Sequence, residues 1–116
     1  MEYLNSRGIA PESLGSFARL AFNMHGHVPV EEWRDIMSQL VHVHAKFYDI
    51  DENGDEPAMD IRRIVKQFVV GGYKGYLSSE WEGHAFSDLG ESDPIDLVKK
   101  QHTLMRSAIE ETVANA

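Results

Sequence analysis

Between residues 41 and 48 the chain alternates without a break: Val41, Val43, Ala45 and Phe47 fall on one side, His42, His44, Lys46 and Tyr48 on the other. That period belongs to a β-strand with one packed face, and the β-branched and aromatic content agrees. The period then changes. Over 59–70, Ile61, Ile64, Val65, Phe68 and Val69 form a helical stripe that Gly71-Gly72 stops. A second strand is expected over 73–81. A strand, a helix and a strand at this spacing predict two parallel strands joined by a right-handed crossover. Two such strands do not complete a sheet, because parallel sheets are covered on both faces. Self-association, or a place in a larger architecture, is therefore expected.

The remaining segments read as helices. Leu14, Phe17, Ala18, Ala21 and Met24 share a face over 11–24, with Pro11 in the first turn. After Gly26 and Pro29, a second helix over 30–40 carries Val30, Trp33, Ile36, Met37 and Leu40 on its apolar side. Asp93-Pro94 is an N-cap and first-turn pair for a last helix reaching about Val113. The order is α-α-β-α-β-α, an α/β class with two parallel strands. It forms one partial domain over 1–116, with a helical lead-in over 1–40 and a βαβα unit over 41–116.

Composition narrows the function. Eleven Lys and Arg against 19 Asp and Glu leave a formal charge of −8 in 116 residues, the wrong sign for a phosphate backbone, so nucleic acid is not an expected partner. With no cysteine, a disulfide framework, a zinc knuckle and a thiol nucleophile are excluded. No signal-peptide pattern and no apolar run near the ~20 residues of a membrane span stand out, so the expected setting is cytoplasmic, without membrane contact.

Two strand-borne side chains carry the chemistry. His44 lies toward the C-terminal end of the first strand, and Tyr76, Ser78 and Glu80 share a side of the second, with Glu80 at its end. Neighbouring parallel strands would bring His44 and Glu80 to one rim, an N/O pair suited to Mn²⁺, Co²⁺, Mg²⁺ or Zn²⁺. The plainer alternative is two strand-borne polar side chains that merely hydrogen-bond within a core. His42 and Lys46 share the face of His44, and His84 follows Glu80, so these three are candidate substrate contacts. His25 and His27 read as solvated loop residues. A competing cation site lies in the acidic turn: Asp49, Asp51, Asn53, Gly54 and Asp60 match a calcium loop at its first, third, fifth, sixth and twelfth positions. It departs from that loop in ending on Asp instead of Glu, in placing Glu56 where an aliphatic belongs, and in being entered from a strand. Ordinary turn chemistry is the alternative.

The blocks His-Val-His-Ala-Lys-Phe-Tyr at 42–48 and Gly-Gly-Tyr-Lys-Gly-Tyr-Leu-Ser-Ser-Glu-Trp-Glu-Gly at 71–83 resemble the C-terminal part of the xylose-isomerase-like TIM-barrel superfamily, which includes sugar-phosphate isomerases and epimerases. Phe-Tyr-Asp-Ile-Asp and Ser-Ser-Glu-Trp-Glu-Gly-His are similar to its branch of C-glycoside deglycosidase catalytic subunits. The resemblance implies the C-terminal portion of a (β/α)8 barrel. It also implies a divalent metal held by His44 and Glu80, with a further Glu and Asp supplied by earlier strands that have no counterpart here. The implied reaction on a sugar or sugar conjugate is proton abstraction beside a carbonyl, with Glu80 near the transferred proton, leading to isomerisation or to elimination of a carbon-linked aglycone. A homo-oligomer or a complementing chain is the expected partner. The rival reading is a non-catalytic interaction module that completes a barrel with another polypeptide.

Overall fold

A computed structural model describes residues 29–85 and 90–116 of the chain. The expected helix over 11–24 and the loop residues His25 and His27 lie outside the described residues. Strand β1 (Val43–Phe47) and strand β2 (Leu77–Trp81) form a two-stranded parallel sheet, joined through helix α1 (Ile61–Val70). Helix α2 (Pro94–Ala114) follows β2. The β-α-β crossover read from the spacing is present.

Both helices begin and end where backbone chemistry dictates. The Asp60 carboxylate accepts the Arg63 N–H at 2.9 Å and caps α1, so the helix starts at Ile61, the first residue of its apolar stripe, and not at the expected 59. At the other end Gly72 takes φ +73°. The Tyr73 N–H returns to the Phe68 carbonyl at 3.0 Å and the Gly72 N–H to Val69 at 3.1 Å. This is a Schellman ending, completed by the Phe68 and Tyr73 rings with centroids 5.4 Å apart. Asp93 caps α2 by accepting from the Ile95 and Asp96 N–H groups, with Pro94 in the first turn.

Two strand starts and one helix type differ from expectation, each for a local reason. The second strand begins at Leu77 and not at 73, because the Tyr73 N–H closes α1 and its hydroxyl donates to the Tyr76 carbonyl at 3.2 Å. With β2 that short, β1 has nothing to pair with before Val43, and Val41 is 90% exposed. The segment over 30–40 is a 3-10 helix, Val30–Gln39. At three residues per turn Val30, Trp33 and Ile36 align while Met37 and Leu40 sit a third of a turn away. Met37 is accordingly buried, Trp33 leans edge-on to Phe68 at 6.2 Å, and Ile36 is 49% exposed.

The core lies between one face of the sheet and the two α-helices. Phe47, Ile50, Ile61, Val65, Leu97, Leu104, Met105 and Ala108 form it, with Ala45, Leu77 and Trp81 packed against it from the strands. Three described polar residues are buried, Glu56, Gln67 and Gln101. Gln101 is fully buried on α2, and its side-chain amide donates to the Ala45 carbonyl of β1 at 3.1 Å. It ties helix to strand at mid-sheet. Truncating it removes both a hydrogen bond and packing volume in the core, so Gln101→Ala is expected to destabilise the fold by about 2–4 kcal/mol. Urea unfolding followed by circular dichroism measures this, and a midpoint unchanged from wild type would disprove the tie.

Candidate functional site

The register fixes what faces what. His44 stands opposite Ser78, Lys46 opposite Glu80, and Phe47 opposite Trp81. Since side chains alternate along each strand, Phe47 and Trp81 turn to the helices while His44, Lys46, Ser78 and Glu80 turn to the other face. That face carries a charged cluster. The His44 Nδ1–H donates to Glu80 Oε2 at 2.8 Å. Lys46 Nζ lies 3.4 Å from Glu80 Oε1 and makes a short ion pair with Glu82 Oε1. The tautomer of His44 follows from its acceptor, a carboxylate.

Hydrogen bonding from His44, then the nearby Lys46 ammonium, holds the Glu80 carboxyl below the usual carboxylate range. Lys46 is pushed up, first by its bond to Glu82 and then by the charge of Glu80. All four side chains are partly solvated, at 64% exposure for His44, 51% for Lys46, 41% for Glu80 and 32% for Glu82. The cluster shapes protonation more than it stabilises the fold.

His44 and Glu80 set an imidazole and a carboxylate side by side, and the His44 Nδ1 carries the proton that it donates to Glu80. They are only two side chains. Among the described residues no group of three or more His, Asp or Glu side chains is placed to hold a metal ion.

The other expected site residues divide. His42, just before β1, packs edge-on against His44 with centroids 5.2 Å apart and so joins the cluster. Lys46 is inside it. His84 sits in a short 3-10 turn after β2 with its ring 5.8 Å from that of Trp81, which packs on the core side. Its described contact therefore lies away from the His44 face. Glu82 was not singled out from the sequence, although the alternation Ser78, Glu80, Glu82 carries its signal.

The rim after the strands is tightly built. The Trp81 indole donates to the Tyr48 carbonyl at 2.9 Å, and the Glu82 N–H to the Phe47 carbonyl at 2.8 Å. Gly83 is buried between them, where a Cβ would run into the Tyr48 carbonyl and the Trp81 indole.

The acidic loop between β1 and α1 is organised by its own backbone. Asp51 accepts from the Asn53 and Asp55 N–H groups, and the Ile50 N–H donates to Asp49. Buried Glu56 gathers the N–H groups of Tyr48, Ala58 and Met59. Asp60 caps α1. The loop is entered from β1, and its carboxylates serve turn and cap bonds, the alternative to a calcium loop.

With this geometry in place, comparison with known proteins is specific. No family model matches the chain. It is 77% identical over 112 residues to a C-glycoside deglycosidase alpha subunit of Arthrobacter globiformis, covering 97% of this chain and 32% of the relative. The chain resembles part of the C-glycoside deglycosidase alpha subunits. A 3'-dehydrocarminate deglycosidase alpha subunit of Microbacterium sp is 46% identical over 96 residues, which is 83% of this chain and 27% of the relative. A further C-glycoside deglycosidase alpha subunit, of Microbacterium trichothecenolyticum, is 40% identical over 87 residues, 75% of this chain and 23% of the relative. The chain thus spans a third or less of the curated relatives it matches.

Two outcomes check the site. The Glu80 carboxyl should titrate below the ordinary value of about 4.3 and return toward it in His44→Ala, as followed by carboxylate NMR. The sign is that of a depressed carboxyl: the His44 and Lys46 contacts are complete above the unfolded-state value and are lost as pH falls through the lowered one. A Glu80 signal that ignores His44→Ala would remove the hydrogen bond from the account. Gly83→Ala should displace the Trp81 indole, read as a shift in tryptophan emission, because backbone and ring atoms already occupy the Cβ position.

Proposed function

We propose that the chain is part of a metal-dependent C-glycoside deglycosidase alpha subunit, built on the C-terminal end of a xylose-isomerase-like (β/α)8 barrel. The observation that carries this reading is the His44–Glu80 contact of 2.8 Å across two parallel strands, in a sequence similar throughout to deglycosidase alpha subunits. The sheet supports the barrel: it holds two parallel strands, and each has one neighbour among the described residues. A parallel sheet is stable when further strands and helices cover it. In such a barrel the polar face becomes the interior, and the strand ends open on the active site.

His44 and Glu80 would hold the cation, Mn²⁺, Co²⁺, Mg²⁺ or Zn²⁺, together with donors from the rest of the longer protein. When bound, the ion polarises the oxygens of a sugar carbonyl and its neighbouring hydroxyl. In the elimination, the proton beside that carbonyl is removed and its electron pair forms a carbon–carbon double bond. The bond to the carbon-linked aglycone then breaks, and the aglycone carbon takes up a proton. Glu80, kept ionised by His44 and Lys46, is a weaker base than an ordinary carboxylate, which suits a ligand better than a proton acceptor. Lys46 and His42 stand on the same face and are placed to contact sugar oxygens. The relatives are named alpha subunits, so a complementing chain is part of the proposal.

Isothermal titration with Mn²⁺ tests the reading on the full chain. His44→Ala and Glu80→Gln should each weaken binding by about tenfold or more, the lower end of what disturbing a metal shell costs, while Asp49→Ala leaves it unchanged. Loss of binding in Asp49→Ala with His44→Ala unaffected would instead place the cation in the acidic loop.

A further inference from the structure

Helix α2 carries two apolar faces. Leu97, Gln101, Leu104 and Ala108 are buried and face the core. On one flank of that face, Ser107 and Glu111 bond Arg62 of α1, the helix packed most extensively on α2. The other flank is turned about 120° from the core residues, at about 100° per residue. Ile95, Val98, His102, Ile109 and Val113 line it over about 27 Å. Ile95 is 69% exposed, Val113 62% and Ile109 38%. The charges divide in the same way. Toward α1, Asp96 pairs with Lys100 and Glu111 with Arg62. Along the outer edge of the apolar seam, exposed Lys99, Arg106 and Glu110 have no ion pair among the described residues.

We infer that this flank of α2 docks a second copy of the chain, with the two α2 helices antiparallel. The pattern is complementary to itself. When Ile95 lies over Val113 of the second copy, Lys99 lies across from Glu110 and Glu110 across from Lys99, because both pairs are centred on residues 104 and 105. A two-fold contact needs this reciprocity. His102 then meets Arg106 of the second copy, an imidazole beside a guanidinium donor. Parallel helices in register would instead oppose Lys99 to Lys99, Arg106 to Arg106 and Glu110 to Glu110. A net charge of −8 on each copy opposes association, and the approach is least opposed where Lys99 and Arg106 offset the carboxylates. One helix flank is a smaller contact than permanent dimers use, so the association depends on concentration. The inference does not rest on the metal reading.

Sedimentation of the full chain over a concentration series should show a monomer–dimer equilibrium. Ile95→Asp places an acid in the first turn, where the helix accepts one. It should weaken the dimer by about tenfold or more with the circular dichroism of the monomer unchanged. Lys99→Glu and Glu110→Lys should each weaken it, and the double variant should recover it, a coupling that general stickiness does not produce. The chain has no cysteine, so introduced thiols report the orientation. A short bismaleimide should join Lys99→Cys to Glu110→Cys in a mixture, a dimer that keeps one native charge pair. It should join neither variant to itself, because like positions stand about 15 Å apart along the axis. Self-joining of each variant would mark parallel helices and overturn the proposal. A dimer indifferent to Ile95→Asp and to both charge reversals would place the contact elsewhere and overturn it too. A monomer at every concentration also overturns it, and leaves the seam to a helix of a longer protein.

Discussion

The pairing of β1 with β2 decides the chemistry of the whole chain. Side chains alternate with a period of two, so a slip of one residue in either strand would exchange its faces. Phe47 and Trp81 would meet water, and His44 or Glu80 would enter a core of Ile61, Val65, Leu97 and Leu104. The observed register, Lys46 against Glu80 and Phe47 against Trp81, is held from the helix side. Phe47 is fully buried, Gln101 bonds the Ala45 carbonyl, and the Trp81 indole bonds the Tyr48 carbonyl. The polar cluster is placed by the core on the opposite face of the sheet.

This explains which features the sequence discloses. The strand face holding His44 and Lys46 was legible because alternation over 41–48 is local, and Asp93-Pro94 marked its helix start because capping is local too. The nearness of His44 and Glu80 was legible through topology, since a helix between two strands allows one parallel arrangement. What escaped depends on partners distant along the chain or on competition for one group. Gln101 reads as a polar position on a helix until β1 is known to lie beneath it. The start of β2 could not be read because the Tyr73 N–H has two possible acceptors, a neighbouring strand or the end of α1, and the Schellman ending wins. The pitch of the helix over 30–40 was equally hidden, since Val30, Trp33, Ile36, Met37 and Leu40 suit either helical period until packing on Phe68 selects the tighter one.

The acidity of the chain has a similar local explanation. A net charge of −8 invites a reading in terms of cations, and the run at 49–60 invites it most. Within that run Asp51 folds the turn, Glu56 collects the N–H groups at both ends of the loop, and Asp60 opens α1. Asp93 does the same for α2. Carboxylates accepting backbone N–H groups satisfy donors that a helix start or a tight turn leaves unpaired. Elsewhere, Glu31 grips Arg63, and Asp55 and Glu111 grip Arg62. Glu80 and Glu82 instead face His44 and Lys46 where β1 and β2 end.

There the arrangement changes character. Glu80 and Glu82 stand on one face with a single lysine between them, so one negative charge is left over beside an imidazole. On an open two-stranded sheet that excess charge is dissolved by water, and the pair can do little more than share a proton. Enclosed by further strands, the same side chains would lose their solvent, and the interaction between them and any cation would rise several-fold as the effective dielectric falls. The βαβ unit accordingly sets positions and protonation, while in the proposed reading the strength of binding would depend on what covers the polar face. The similarity to a deglycosidase alpha subunit covers 32% of that relative's length, and on that reading the remaining walls of the site would come from the rest of such a protein.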